Sequence, residues 1–435
     1  MSRGVVLTLA ATMALAGLTG SRADELPLLG WPALWPAAPA VTEIFPRMPE
    51  NWGDLPLQFH LSEQAGYNSN ITNTPTGPGA NSGNYGRPIG AMESISTYGV
   101  SFKNEIGAHQ FFGDASWGVY RYLDHANFNI AHRAVDIGDN FTYGSKCNGS
   151  LKFSDISAPA LPGQQIGYNV INTLTTVSAT ENLKCLINGE YSGIFNSGLS
   201  KSTNSATLDA VNNYQSAFIA AGISYAVSET NSLQLLATIT GTDYTDRGTA
   251  LNTAGLNNNI TTDQVMATYT KNFGPNLSLN AQFGVVGVTN SYFEFGLPRS
   301  ILPQYSLSLQ WAITPKLALT VSASRLVSPP TSLLSNLQVT ENATAGLSYQ
   351  WTPKITLSGN LTAGYATGVA TPIVTQGLYS YYTSNQKTYG GTATLNYAIT
   401  PFLAASLSYQ VTKTVQASLT TNDSLVLMAL NFNPY

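Results

Sequence analysis

The C-terminal half of the chain repeats one short pattern several times. Residues 305–324, 346–365 and 393–409 each contain an apolar/polar alternation, a Trp or Tyr, a short turn with Thr-Pro, and a second alternation. Two looser copies, 225–239 and 269–283, precede them. Alternation with a period of two is typical of a β-strand with one apolar and one polar face. The repeat therefore predicts a series of antiparallel hairpins.

The polar faces of these hairpins distinguish a membrane barrel from a soluble β-sandwich. In the strand after Pro353, apolar side chains alternate with Ser, Thr and Asn, and only 10% of the whole chain is charged. A soluble sheet would carry Lys and Glu on its outer face. The strands match the ~9–11 tilted residues that span a bilayer, and a sheet in lipid must close because unpaired edge groups are costly there. The sequence therefore predicts an all-β fold, a closed transmembrane antiparallel β-barrel.

Aromatic residues stand near the ends of the predicted strands. Trp and Tyr concentrate at membrane–water interfaces because their rings have both an apolar body and a polar atom. An interfacial girdle is therefore expected to include Tyr225, Tyr269, Trp311, Trp351 and Tyr397.

About eighteen strands are expected, and bacterial single-chain barrels have even strand numbers. Short connections such as NEIG, SKCN, ATEN and SETN alternate with long ones such as 72–91, 196–211 and 368–385. Because outer-membrane barrels have short periplasmic turns and long outer loops, both termini are expected in the periplasm. The expected strands are 57–70, 92–105, 109–122, 129–143, 149–157, 167–180, 183–195, 212–227, 231–245, 258–272, 276–290, 301–313, 316–327, 338–351, 354–367, 386–399, 402–414 and 423–433.

The residues before the barrel divide into two segments. Residues 1–23 contain Arg3, an apolar run and a small-x-small site that ends at Ala23, which predicts a cleaved secretory signal peptide. Residues 24–56 are rich in Pro and Trp and lack alternation, so they predict an extended periplasmic arm. The arm has three interpretations: a linker, a plug that enters the barrel, or a docking peptide for a periplasmic partner. The barrel is expected to occupy residues 57–435.

Charge and histidine placement exclude several classes of function. The 19 basic and 23 acidic residues give a formal net charge of -4, which provides no reason to expect a nucleic-acid partner. The histidines are scattered, and His132 and Asp136 share a strand face but stand ~13 Å apart. A catalytic pair must lie within hydrogen-bond reach. No enzymatic activity, cofactor or metal site is therefore expected.

Charged residues within and beside the predicted strands are candidate functional positions. Arg or Lys at the lipid midplane costs ~2–4 kcal/mol, so such charges are expected in the lumen or at the rims, where they set ion preference. Interstrand salt bridges that stiffen the wall are an equal alternative. The candidates are Asp114, Arg121, Arg133, Asp243, Arg247 and Arg325.

Two cysteines, Cys147 and Cys185, fall at the periplasmic ends of predicted strands. An oxidising periplasm permits a disulfide, whereas Cα atoms more than ~7 Å apart cannot be bridged. The expected strand 167–180 lies between the two hairpins, although Cys147 sits in a turn that can lean across. A disulfide and two unpaired thiols therefore remain equal alternatives.

Residues 66–71, GYNSNI, and residues 225–247 carry two short motifs. The first resembles the G-Y-x-x-N-I opening, and the second the internal hairpin, of a family of outer-membrane β-barrel porins that are often encoded beside exopolysaccharide genes. The similarity would cover Leu57 to Tyr435 and implies a porin-like or polysaccharide-associated role, with no site residues. The C-terminus departs from the usual pattern, because Asn431 and Asn433 occupy positions that are normally apolar.

These observations favour an outer-membrane channel for passive diffusion of small hydrophilic solutes. The alternatives are an accessory barrel for exopolysaccharide secretion, helped by a periplasmic or polysaccharide-export partner, and a structural barrel. Outer-membrane lipid and the barrel-assembly machinery are the expected general partners. Porins of this size are often trimers, so an oligomer is compatible with the fold by analogy.

Overall fold

The computed structural model describes residues 57–71, 89–159, 172–205, 210, 213–245, 259–290, 300–328, 335–375, 378–382, 385–416 and 419–432. The expected signal peptide (1–23) and arm (24–56) lie outside these residues and stay predictions.

The described residues are almost entirely β-strand. Apart from strands they contain turns and one short 3₁₀ helix, Ala126–Phe128, and no helix among them is long and apolar enough to cross a membrane. The strands are β1 Leu57–Asn68, β2 Ala91–Ile106, β3 His109–Tyr122, β4 Ile130–Tyr143, β5 Cys147–Pro159, β6 Thr173–Leu186, β7 Tyr191–Asn204, β8 Tyr214–Ser228, β9 Asn231–Tyr244, β10 Asn259–Asn272, β11 Leu277–Asn290, β12 Ser300–Thr314, β13 Leu317–Ser328, β14 Ser335–Thr352, β15 Ile355–Thr375, β16 Leu378–Tyr382, β17 Asn385–Thr400, β18 Leu403–Gln416 and β19 Leu419–Phe432.

The sheet closes on itself. With the exception of β16, each strand pairs antiparallel with the strands next to it in the sequence, and β1 pairs with β2 on one side and with β19 on the other. The short strand β16 pairs only with the distal part of β15, whereas the rest of β15 pairs with β17. The wall is therefore a closed antiparallel barrel of 18 strands, as the sequence predicts.

Alternate residues along each strand form the outer surface. Large apolar side chains are unusually exposed there, including Leu361 at 67%, Met428 at 64% and Phe283 at 60%. Residues in direct register on neighbouring strands lie on the same face of the sheet, so these positions define the outer face around the whole barrel. An exposed apolar band of this kind is suited to lipid and not to water.

The residues of the expected aromatic girdle lie at the end of the barrel that carries the short turns, hereafter the short-turn end. Tyr225 stacks on Tyr191 with ring centroids 4.8 Å apart near the start of β7 and the end of β8. Trp311, Trp351 and Tyr397 are 43%, 59% and 43% exposed, and each lies within a few residues of a turn.

The Thr-Pro motif builds the same turn three times. The hydroxyl oxygens of Thr314, Thr352 and Thr400 accept hydrogen bonds from the backbone N–H two residues on, at 3.3, 3.3 and 3.2 Å. The strand pairing shifts register at each of these turns. Threonine supplies the local acceptor and proline fixes φ, which is why one sequence motif produces one repeated geometry.

The expected boundaries of two neighbouring strands were wrong. The strands expected at 167–180 and 183–195 are instead β6 and β7, because ATEN is strand and the turn falls at 187–190. Glu181 and Asn182 are accommodated in the wall by hydrogen bonds with Ser197 and Ser150. The true turn has Asn188, whose side-chain oxygen accepts the backbone N–H of Glu190 and Tyr191.

Two expected long loops are also shorter than predicted. β7 continues to Asn204, which takes up the first part of the expected loop 196–211. β15 continues to Thr375 and forms a hairpin with β16 inside the expected loop 368–385. The alternation in these segments is interrupted by Gly and Ser, so their sequences resembled loops.

Cys147 and Cys185 are joined by a disulfide, with Cα atoms 4.0 Å apart. They are direct register partners on β5 and β6 at the short-turn end. The expectation that a strand separates them was wrong, because it depended on the misplaced boundary between β6 and β7.

Candidate functional site: the lumen wall

The face opposite the apolar band lines the barrel lumen, and three sectors of it differ in chemistry. The charged sector comprises the lumen faces of β1–β6 and β19. The apolar sector comprises those of β7–β11 and is named for two apolar clusters that lie among its Ser, Thr, Asn and Gln side chains. The hydroxyl sector comprises the lumen faces of β12–β15, β17 and β18. The register fixes which residues belong to each sector.

The charged sector contains all lumen-facing Asp, Glu, Lys and His side chains of the described residues. Five carboxylates and three ammonium groups face inward here, together with His60 and His132. The charged groups are Glu93, Lys103, Glu105, Asp114, Asp136, Lys152, Lys184 and Asp423.

Two carboxylates lie directly opposite each other near the middle of this sector. Asp114 on β3 and Asp136 on β4 are register partners. The ammonium of Lys152 on β5 lies 3.2 Å from Asp136, with both side chains partly exposed. His60 on β1 is close enough to Asp114 to interact with it electrostatically. The arrangement gives two adjacent acids of which one is paired with lysine.

Each lumen histidine lies across a glycine of the neighbouring strand. His60 is in register with Gly99, where an added Cβ would stand 1.7 Å from its Nε2 atom. His132 is in register with Gly118, where a Cβ would stand 2.3 Å from its Cε1 atom. The Nε2 atom of His132 also lies 3.2 Å from the hydroxyl of Thr97. Glycine is required at both positions because the imidazole rings fill the space of a side chain.

The opposite, long-loop end of the charged sector carries a second acidic group. Glu93 is only 5% exposed and interacts electrostatically with Asp423 on β19. Asp423 accepts a hydrogen bond from the Ser69 hydroxyl at 3.3 Å, and the backbone N–H of Ser424 donates to the same hydroxyl at 2.8 Å. These contacts tie the end of β1 to β19 where the barrel closes.

The hydroxyl sector has no charge on the lumen face of its described residues. Its inward positions are mostly Ser, Thr, Asn and Gln. Most of them are partly exposed, and Thr320 and Asn360 are exposed. Cross-strand contacts between hydroxyls occur, such as Ser322 with Thr344 at 2.6 Å. Residues of β13–β17 also line a shallow recess: Ala318, Thr320, Gly346, Leu347, Ser348, Ser358, Gly359, Asn360, Thr392 and Thr394.

The apolar sector packs two small clusters on the inner wall. Ile194, Ala220 and Leu236 form one, on β7–β9. Tyr244, Ile260, Val286 and Val288 form the other, toward the long-loop end of β9–β11. These clusters were not anticipated, because an inward apolar residue between Ser and Thr neighbours looks like a weak alternation.

Among the candidate charges, only Asp114 lies on the lumen face. Four others point to the outer face nearer the long-loop end, and Arg247 lies outside the described residues. The alternative of interstrand salt bridges describes two of them: Arg133 lies 3.2 Å from Asp155, and Arg325 pairs with Glu341. Arg121 donates to the Ser96 hydroxyl at 3.1 Å, and Asp243 is exposed. The four outward residues are Arg121, Arg133, Asp243 and Arg325.

Of the lumen-facing charged residues, only Asp114 was among the candidates from the sequence, although the alternation along each strand indicates which charges face the lumen. Arg133 shares its parity with Val135 and Ile137, which identifies it as outward-facing. Asp136 has the opposite parity and therefore faces the lumen. A charged residue an even number of positions from a large apolar residue on the same strand faces outward, and one an odd number of positions away faces the lumen. Charge alone does not distinguish the two faces.

His132 and Asp136 have separate partners, Thr97 and Lys152. Within the described ranges, no group of three or more His, Cys, Asp or Glu residues is arranged to hold a metal ion.

No family model and no curated protein matches the chain. Among solved structures, it is similar to the FrpB iron transporter from Neisseria meningitidis (F3-3 variant), with a TM-score of 0.48 and 10% identity over 83% of this chain and 63% of that chain. It is also similar to Pseudomonas aeruginosa OccK2 (OpdF), with a TM-score of 0.47 and 11% identity over 87% and 98% of the chains. For Pseudomonas aeruginosa OpdL the values are 0.44, 11%, 87% and 99%. The chain spans less than two thirds of the length of the FrpB structure.

Proposed function

We propose that this chain is a porin-like channel of the bacterial outer membrane through which small hydrophilic solutes diffuse passively. Passage through it would require no cofactor and no covalent step. Export would depend on the signal peptide expected at 1–23, cleaved near Ala23, and insertion on outer-membrane lipid and the barrel-assembly machinery.

The hydroxyl sector is the observation that carries the proposal. Six adjacent barrel strands present Ser, Thr, Asn and Gln inward while Leu, Val and aromatic side chains face outward. Side chains of this kind hydrate a surface without binding a solute tightly, and barrels of sixteen to eighteen strands enclose an aqueous lumen. A wall that is wet inside and apolar outside is suited to diffusion across a bilayer.

Single-channel conductance of the refolded mature protein in a planar bilayer tests the proposal. The measurement is made with and without residues 24–56, because the arm is either a linker, a plug or a docking peptide. Large, stable conductance in both forms supports an open channel with a linker. Conductance only in the truncated form supports a plug and a gated pore. Absence of conductance from both forms contradicts the proposal.

Passage of a polysaccharide is a second candidate, and the same sector favours it. An uncharged wall of hydroxyls and amides matches the hydrogen-bonding groups of a sugar chain along its length. Blocking of the conductance by neutral dextrans of increasing size separates the two functions. Exclusion of all but the smallest dextrans supports small solutes, whereas entry of long chains supports polymer passage with help from a periplasmic partner.

A further inference from the structure

We propose that the charged sector makes the conducting barrel selective for small cations, with Asp114 and Asp136 as the principal specificity-determining residues. The proposal deepens the porin-like function and rests on it, since selectivity has meaning only in a barrel that conducts. It assigns a substrate class, cationic solutes, to a lumen whose described wall carries no other Asp, Glu or Lys.

Segregation of charge is the first step. In the described residues, every lumen-facing Asp, Glu and Lys lies on β2–β6 or β19, and the lumen faces of β7–β18 carry none. A permeating ion therefore meets fixed charge on one side of the described wall. Nothing in the described remainder of that wall offsets the field of the charged sector.

The sign of that field is the second step. Among these side chains, the carboxylates of Glu93, Glu105, Asp114, Asp136 and Asp423 outnumber the ammonium groups of Lys103, Lys152 and Lys184. Net negative charge on the wall of a water-filled pore raises the local concentration of cations and lowers that of anions.

Position along the pore is the third step. Glu93 and Asp423 lie toward the long-loop end, whereas Lys103, Lys184 and the single carboxylate of Glu105 lie toward the short-turn end. Between them, Lys152 approaches Asp136 and not its register partner Asp114. The middle of the sector thus carries two carboxylates against one ammonium group. A cation that enters from the long-loop end meets negative wall charge first and again at mid-depth.

Reversal potentials test the proposal in the full-length mature protein. We would use roughly 0.1 M against roughly 0.01 M KCl, where the Debye length of ~10–30 Å leaves wall charges poorly screened. The double variant Asp114→Asn, Asp136→Asn removes two lumen charges with little change in shape. The matched control, Asp155→Asn with Glu341→Gln, removes two outward-facing carboxylates instead.

The wild-type potassium-to-chloride permeability ratio is expected to exceed unity. It should fall by roughly twofold or more in the lumen variant and stay unchanged in the control. A ratio at or below unity in the wild type overturns the inference even if neither variant folds. So does an equal fall in both variants, or no fall in the lumen variant.

A third variant, Lys152→Gln, removes the ammonium beside Asp136 and should raise the ratio. An unchanged or lower ratio counts against the assignment of Asp136. Stable conductance without selectivity would refute the cation preference and leave the porin-like function intact. Absence of any conductance would refute both.

Discussion

The charged and hydroxyl sectors are parts of one wall, but their lumen-facing polar side chains differ in burial. Several lumen-facing polar side chains of the charged sector are tightly packed, although Asp114 is exposed: Ser62 and Thr97 are 2% exposed and Asn431 is 6% exposed. In the hydroxyl sector, inward residues such as Thr320 and Asn360 are open to solvent. Burial of polar groups requires specific partners, whereas an open polar wall requires only water. The buried polar groups of the charged sector therefore depend on specific side-chain partners, whereas the exposed ones of the hydroxyl sector depend on contact with water.

The largest expected effect compares the two faces of the hydroxyl sector itself. Leu361→Arg places a charge in the exposed apolar band and is expected to destabilise the folded barrel by ~2–4 kcal/mol. Thr362→Arg, one residue along on the lumen face, should cost much less because its guanidinium reaches water. Guanidinium titrations in lipid vesicles measure both. Equal losses would contradict the assignment of inner and outer faces.

A lumen-facing glycine in each sector provides the next comparison. Gly99→Ala in the charged sector would push the new methyl group into the His60 ring, since an added Cβ would stand 1.7 Å from Nε2. The expected cost is about 2 kcal/mol. Gly346→Ala in the hydroxyl sector meets no atom closer than 3.8 Å and should be nearly neutral. The same unfolding titration applies, and a similar cost at both positions would remove the packing difference between the sectors.

The smallest effect concerns one hydrogen bond in each sector. Ser62→Ala removes a donor to the side-chain oxygen of Asn431 at 2.7 Å, and both residues are buried. The loss is expected to be about 1 kcal/mol, because the amide oxygen is left without its partner. Ser322→Ala breaks the contact with Thr344, whose hydroxyl then turns to water, so the loss should be smaller. A larger loss for Ser322→Ala would show that the open sector is held together by its side chains.

The sequence determines the barrel because its period of two is repeated along nearly the whole chain. Closure follows from physics, since an open edge cannot remain in lipid, and the Thr-Pro turns and interfacial aromatics follow from local chemistry. The strand count is also predictable from the number of alternating segments. These properties depend on residues close together in the chain, and for that reason the sequence predicts them.

The tertiary structure decided what depends on register between strands. It placed Cys185 beside Cys147, Asp114 beside Asp136, and Lys152 against Asp136 and not Asp114. A strand boundary misplaced by a few residues, as at ATEN, changes every partner across that strand. Register is fixed by the pairing of whole strands around a closed wall, and no local pattern in one strand contains it.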